Sequence, residues 1–149
     1  MKTTMHVLLL IGLYFCIPRM ASGQTPNSNA IKGEEQAISL TVLNHVFLQL
    51  KDKANWSHES SFEEECDLTA EKQALRCAIR KAQIELTGRY EHRNYLMRVI
   101  RQKIRQHFFC RQGIHPIDNF NKHKKTSHED ILFLLKMVKE ELEKQEASL

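Results

Sequence analysis

The chain reads as all-α, a four-helix bundle of up-up-down-down order, on two observations. Four stretches carry apolar residues at helical intervals, and the connections between them run long, short, long. A connection of a few residues forces neighbouring helices antiparallel, whereas one of about sixteen can run the length of a bundle and return the chain in the same direction. Two long overhand loops around one short turn therefore give up-up-down-down.

The elements follow in order. Residues 1–23 have the form of a secretory signal: Lys2 near the start, an apolar run from Val7 to Ile17, and the small residues Ala21, Ser22 and Gly23 before Gln24. The run is too short to span a bilayer as a helix, and no later stretch is apolar for long enough, so a soluble, secreted product without membrane insertion is expected. Residues 24–33, with Pro26 and Gly33, read as a flexible leader, and 34–149 as one helical domain.

The first helix is expected at 34–51. Ile38, Val42, Leu43, Val46, Phe47 and Leu50 form its stripe, widened by Leu40 and Leu48, and Glu34 and Glu35 suit the positive end of its dipole. Residues 52–66 form the first long connection, with Asn55-Trp56-Ser57 as a glycosylation acceptor at Asn55 and Trp56 either covering the bundle or standing exposed. Asp67 or Thr69 can cap the second helix, whose face is Leu75, Ala78, Ile79, Ala82 and Leu86 and whose end is Gly88. The third helix, 91–107, carries Leu96, Val99, Ile100 and Ile104 inward, leading to Phe108, with Arg98, Arg101 and Arg105 on the opposite face. Residues 111–126 are the second long connection, ending in Lys122, His123, Lys124 and Lys125. Thr126 with Glu129 fits a capping box for the fourth helix, whose inner face is Ile131, Leu134, Leu135, Val138 and Leu142.

Chemistry-bearing residues are sparse. The formal charge of +4 falls when Lys2 and Arg19 leave with the signal, too little to suggest a nucleic-acid partner. The histidines lack ligand spacing, so no metal or other cofactor is expected, and neither a nucleophile elbow nor a phosphate-binding loop points to an enzyme. Outside the signal lie Cys66, Cys77 and Cys110, an odd number in an oxidising compartment. In a hairpin turning at Gly88, Cys66 and Cys110 lie level, which favours that pair. Cys77 points off its helix's apolar face and can also reach Cys110, whereas Cys66 with Cys77 would be held apart by intervening helix.

The arginine row stands on a helix almost free of acids after Glu91. Like charges at i, i+3 and i+4 repel, so an acidic partner for Arg98, Arg101 and Arg105 is one explanation and a solvated face the other. The lysine cluster at 122–125 can likewise attract glycans by charge alone.

Residues 69–86, with Glu71-Lys72 and Cys77-Ala78, and 92–110, with Leu96, Arg98, Arg101, Arg105 and a closing Phe109-Cys110, resemble the short-chain type I cytokines, most specifically the interleukin-4/interleukin-13 group. The amphipathic 127–143 is similar in character. The resemblance implies a disulfide between Cys77 and Cys110. It leaves Cys66 unpaired, because the turn that would hold its partner reads Gly88-Arg89-Tyr90. It further implies a monomeric ligand that brings together an interleukin-4 receptor alpha-like chain and a common gamma or interleukin-13 receptor-like chain to trigger immune signalling. Arg105 would pair with receptor acids, and Glu34 or Glu35 would stand in for the family's helix-one glutamate. An interleukin-2/interleukin-21-type cytokine and a secreted cationic helical protein that binds glycans or membranes are the alternatives.

Overall fold

The computed structural model describes residues 28–59, 66–111 and 113–147. The expected signal at 1–23 and the part of the expected leader before Ser28 lie outside the described residues. Among the described residues, five α-helices make up the fold: α1 (Ser28–Leu50), α2 (Leu75–Thr87), α3 (Tyr95–His107), α4 (Pro116–Lys122) and α5 (His128–Glu146). The four stripes meet in one core. Val42, Leu43, Val46 and Leu50 pack with Leu75, Ile79, Leu96, Ile100, Ile104, Ile131, Leu134, Leu135, Val138 and Leu142, all buried. Ile38, Phe47, Leu48 and Leu86, expected on inner faces, are exposed.

Helix directions follow from contacting pairs. Just past the end of α1 the carbonyl of Asn55 accepts from Gln73 N (2.8 Å) just before the start of α2, while Thr87 at the end of α2 shares a cleft with Glu34 and Glu35, so α1 and α2 are antiparallel. His128 on α5 faces the carbonyl of Leu50 at 2.7 Å, and Gln36 donates to the carbonyl of Leu142, so α1 and α5 are antiparallel too. The backbone N–H of Tyr95 at the start of α3 donates to Glu35 (3.0 Å), and Lys103 pairs with Glu141 (2.8 Å). The order is therefore up-down-up-down, and the up-down pairing of α1 with α2 replaces the expected up-up-down-down arrangement. The physical reason is where the long connections spend their length. The described parts of each fold back over one end instead of running along the bundle: Lys53–Asn55 is a 3-10 turn, Trp56 bridges to Gln73, and the second connection coils into α4.

Helix ends also move. α1 begins at Ser28, inside the expected leader, because Gly33 costs a helix only about 1 kcal/mol and meets nothing within 4 Å here. α3 starts at Tyr95 rather than 91, with Asn94 accepting from Met97 N at 2.9 Å. The α5 capping box is Ser127 with Asp130, one residue beyond the expected Thr126 with Glu129. Gly88 caps α2 in the left-handed region (φ 75°), as its position suggests.

Neither Asp67 nor Thr69 caps α2. Asp67 instead accepts from Thr69 N (2.9 Å) in a local turn, and α2 opens at Leu75 without a cap from its own chain segment. That late start changes the disulfide. The Cys66–Cys77 segment is helical only at its end, so the two Cα atoms come within 5.3 Å and the cysteines bond, while Cys110 is exposed and free. The Cys77–Cys110 bridge and the unpaired Cys66 implied by the resemblance are both corrected, as is the geometric preference for Cys66 with Cys110.

Candidate functional site

The outer face of α3 is the strongest candidate, because the helix commits its apolar residues to the core while two arginines on its outside carry no carboxylate partner among the described residues. Arg98 and Arg105 are exposed, and among the described residues neither pairs with a carboxylate. Arg98 lies over the Tyr95 ring, 5.0 Å from its centroid, a contact worth about 0.5–1 kcal/mol at an exposed position. Glu35 reaches the same corner through Tyr95 N, so one of the two expected helix-one acids does approach α3. Burial, with the Glu141 and Glu35 carboxylates, outweighs Arg98 and raises the Tyr95 phenol above its ordinary value.

Arg101 turns the other way, toward α4. Its guanidinium donates to the carbonyl of His92 (2.9 Å) and approaches His92 Nε2 (3.2 Å). Tyr90 lies 3.3 Å from His92 Nδ1 on the other side of the ring, so the network assigns the proton to Nδ1. Arg101 and Arg105 then line a surface cleft of about 150 Å³ with Arg76 of α2, His92, His115 and Asp118. Asp118 is buried and bonded to Arg76 at 2.8 Å. Partial burial disfavours the Arg76 charge, but Asp118 and Tyr90 outweigh it and hold its pKa above the ordinary value. For Arg101 the balance is reversed: burial first, then Arg76, Arg105 and Arg93, depress it.

The same surroundings set the state of His92. Burial, and then Arg101, Arg76 and Arg93, hold its pKa below 6.5. Below about pH 6.5 the unfolded chain takes up this proton before the folded chain does, so stability falls as pH drops and levels off beneath the folded value. Replacing His92 by Gln should remove that part of the slope in a series of melting temperatures between about pH 5 and 7.5. An unchanged slope would show that His92 contributes none of it.

The remaining residues singled out by sequence fall elsewhere. Asn55 is half-buried at the end of the 3-10 turn, where Nδ2 donates to the carbonyl of Gln49 at 3.2 Å. This engages one of its two amide hydrogens. Trp56 packs against the core, resolving its two readings in favour of covering the bundle. No group of three or more His, Cys, Asp or Glu side chains among the described residues is placed to hold a metal. No helix among them is long and apolar enough to cross a membrane.

Sequence reasoning missed Arg76, His92, His115 and Asp118 as neighbours of the arginine row. Pro116 and Asp118 held the available signal, since proline suits the first turn of a helix and an acid suits its positive end. Compared with protein-family models, curated proteins and solved structures, the chain matches none.

Proposed function

We propose that the chain is a secreted helical ligand that acts by binding, a cytokine of interleukin-4/interleukin-13 character that brings two receptor chains together and performs no catalysis. The helix order gives this reading no support, because the up-up-down-down topology that suggested it is replaced, and the disulfide differs from the family's. One observation carries the proposal: exposed Arg98 and Arg105 on α3 are without a carboxylate partner among the described residues, beside a partly buried Arg101. Burying such guanidinium groups against receptor carboxylates would relieve their mutual repulsion and supply bidentate, charge-assisted hydrogen bonds. The Cys66–Cys77 bridge fits the oxidising compartment that secretion would give it. The ligand would be monomeric, with α5 and part of α1 facing the second chain.

A panel of type I cytokine receptor ectodomains, including interleukin-2/interleukin-21-type receptors, tests the reading. Arg105→Glu should weaken capture by an alpha-type chain by about a hundredfold or more, as expected for a buried charge partner, while leaving the helical circular dichroism intact. Failure of the unaltered chain to bind any member would remove the cytokine reading, and full binding by the variant would remove Arg105 from the site.

A further inference from the structure

We infer that the cleft between α2, α3 and α4 binds a sulfo group of a sulfated glycan, a ligand separate from any receptor. Arg76, Arg101 and Arg105 all line this cleft, with His92 and His115 alongside. The only carboxylate among its described lining residues, Asp118, is already bonded to Arg76. Arg101 gives hydrogen bonds to His92, and Arg105 has no carboxylate partner among the described residues. Among the described residues, three guanidinium groups thus share one anion, and their mutual repulsion is a standing cost that a second anion would remove.

The size and shape of the cleft limit what enters. At about 150 Å³ it lies below the ~300–1,000 Å³ of sites that enclose a drug-sized ligand, yet it admits one oxyanion head group. It is open to solvent, so a group attached to a chain can enter while the chain stays outside. The apolar Pro116 and Ile117, both buried, form part of its wall and reduce competition from water. Guanidinium forks suit an oxyanion with several acceptor oxygens, and a sulfate ester keeps its charge at every physiological pH. For a chain with a secretion signal and a disulfide, sulfated glycans are the repeating polyanions that present such groups. This inference needs secretion but not the receptor reading: the cleft shares Arg101 and Arg105 with the proposed receptor surface, whereas Arg98, on the Tyr95 side, takes no part in it.

The test is fluorescence anisotropy of a labelled, fully sulfated heparin hexasaccharide with the full chain at about 0.15 M salt, where diffuse surface attraction is screened. Arg101→Gln and Arg105→Gln should each weaken binding about tenfold or more, and Arg98→Gln less than about threefold. The desulfated hexasaccharide should not compete. Equal losses from Arg98→Gln or Lys124→Gln, competition by the desulfated sugar, or tighter binding of an acidic peptide would each overturn the proposal. Should the cleft variants fail to fold, chemical shifts on the unaltered chain decide. Movement at His92, Arg101 and His115 supports the cleft, and movement confined to 122–125 refutes it.

Discussion

Replacing Asn121 by leucine should lower the stability of this domain by about 3 kcal/mol or more, the largest effect expected from any single polar substitution here. Asn121 is 1% exposed and uses both ends of its amide. Its Oδ1 accepts from Trp56 Nε1 at 3.0 Å and from the backbone N–H of Leu75 at 3.1 Å. Its Nδ2 donates to the carbonyls of Ser57 and His58 at 3.0 and 3.1 Å. One side chain of α4 thereby caps α2 and ties down the first connection. Leucine would fill the space but leave these groups unsatisfied, each at about 1–3 kcal/mol where water cannot reach it. Urea unfolding measures the loss. A change below about 0.5 kcal/mol, the range of an ordinary surface substitution, would mean that water replaces all four bonds.

Removing the Cys66–Cys77 bridge should cost a comparable amount. The cysteines are separated by 11 positions, and closing so short a loop is worth about 3 kcal/mol in the chain-entropy model, or roughly 10 °C in melting temperature for a domain of this size. Both Cys66→Ser and Cys77→Ser should show the loss, and the double variant should add little to either. Cys110→Ser should leave stability unchanged, because Cys110 is exposed and unbonded. Peptide mapping without reduction should recover Cys66 joined to Cys77. A Cys110→Ser loss equal to that of Cys77→Ser would instead restore the family pairing.

Much of the core was legible because it depends on spacing alone. Leu96, Val99, Ile100 and Ile104 recur on one side of α3, and burial follows from that recurrence. Gly88 was legible for a different reason, since a left-handed cap favours glycine whatever surrounds it. The helix order was not. A long connection can span a bundle or fold over one end, and the choice rests on distant partners such as Asn121 for Trp56 and Leu75. The disulfide failed for a related cause: placing the start of α2 at Asp67 or Thr69 separates Cys66 from Cys77, and only the cap supplied by α4 shows that the helix begins at Leu75. Half of the candidate site was visible, as Arg98, Arg101 and Arg105 share a helix face. The convergence of Arg76, His92, His115 and Asp118 on Arg101 arises from packing between elements, which periodicity within one helix does not encode.

The working surface assigned to α3 is tested most directly by a charge swap. With a receptor ectodomain in hand, Arg105→Glu is paired with Lys substitutions at the receptor's acidic residues, and affinity is measured for both single changes and the combination. If Arg105 meets a receptor carboxylate, one combination should recover about tenfold or more of the affinity that the single changes lose. Additive losses across every combination, or an affinity indifferent to Arg105→Glu, would contradict the account.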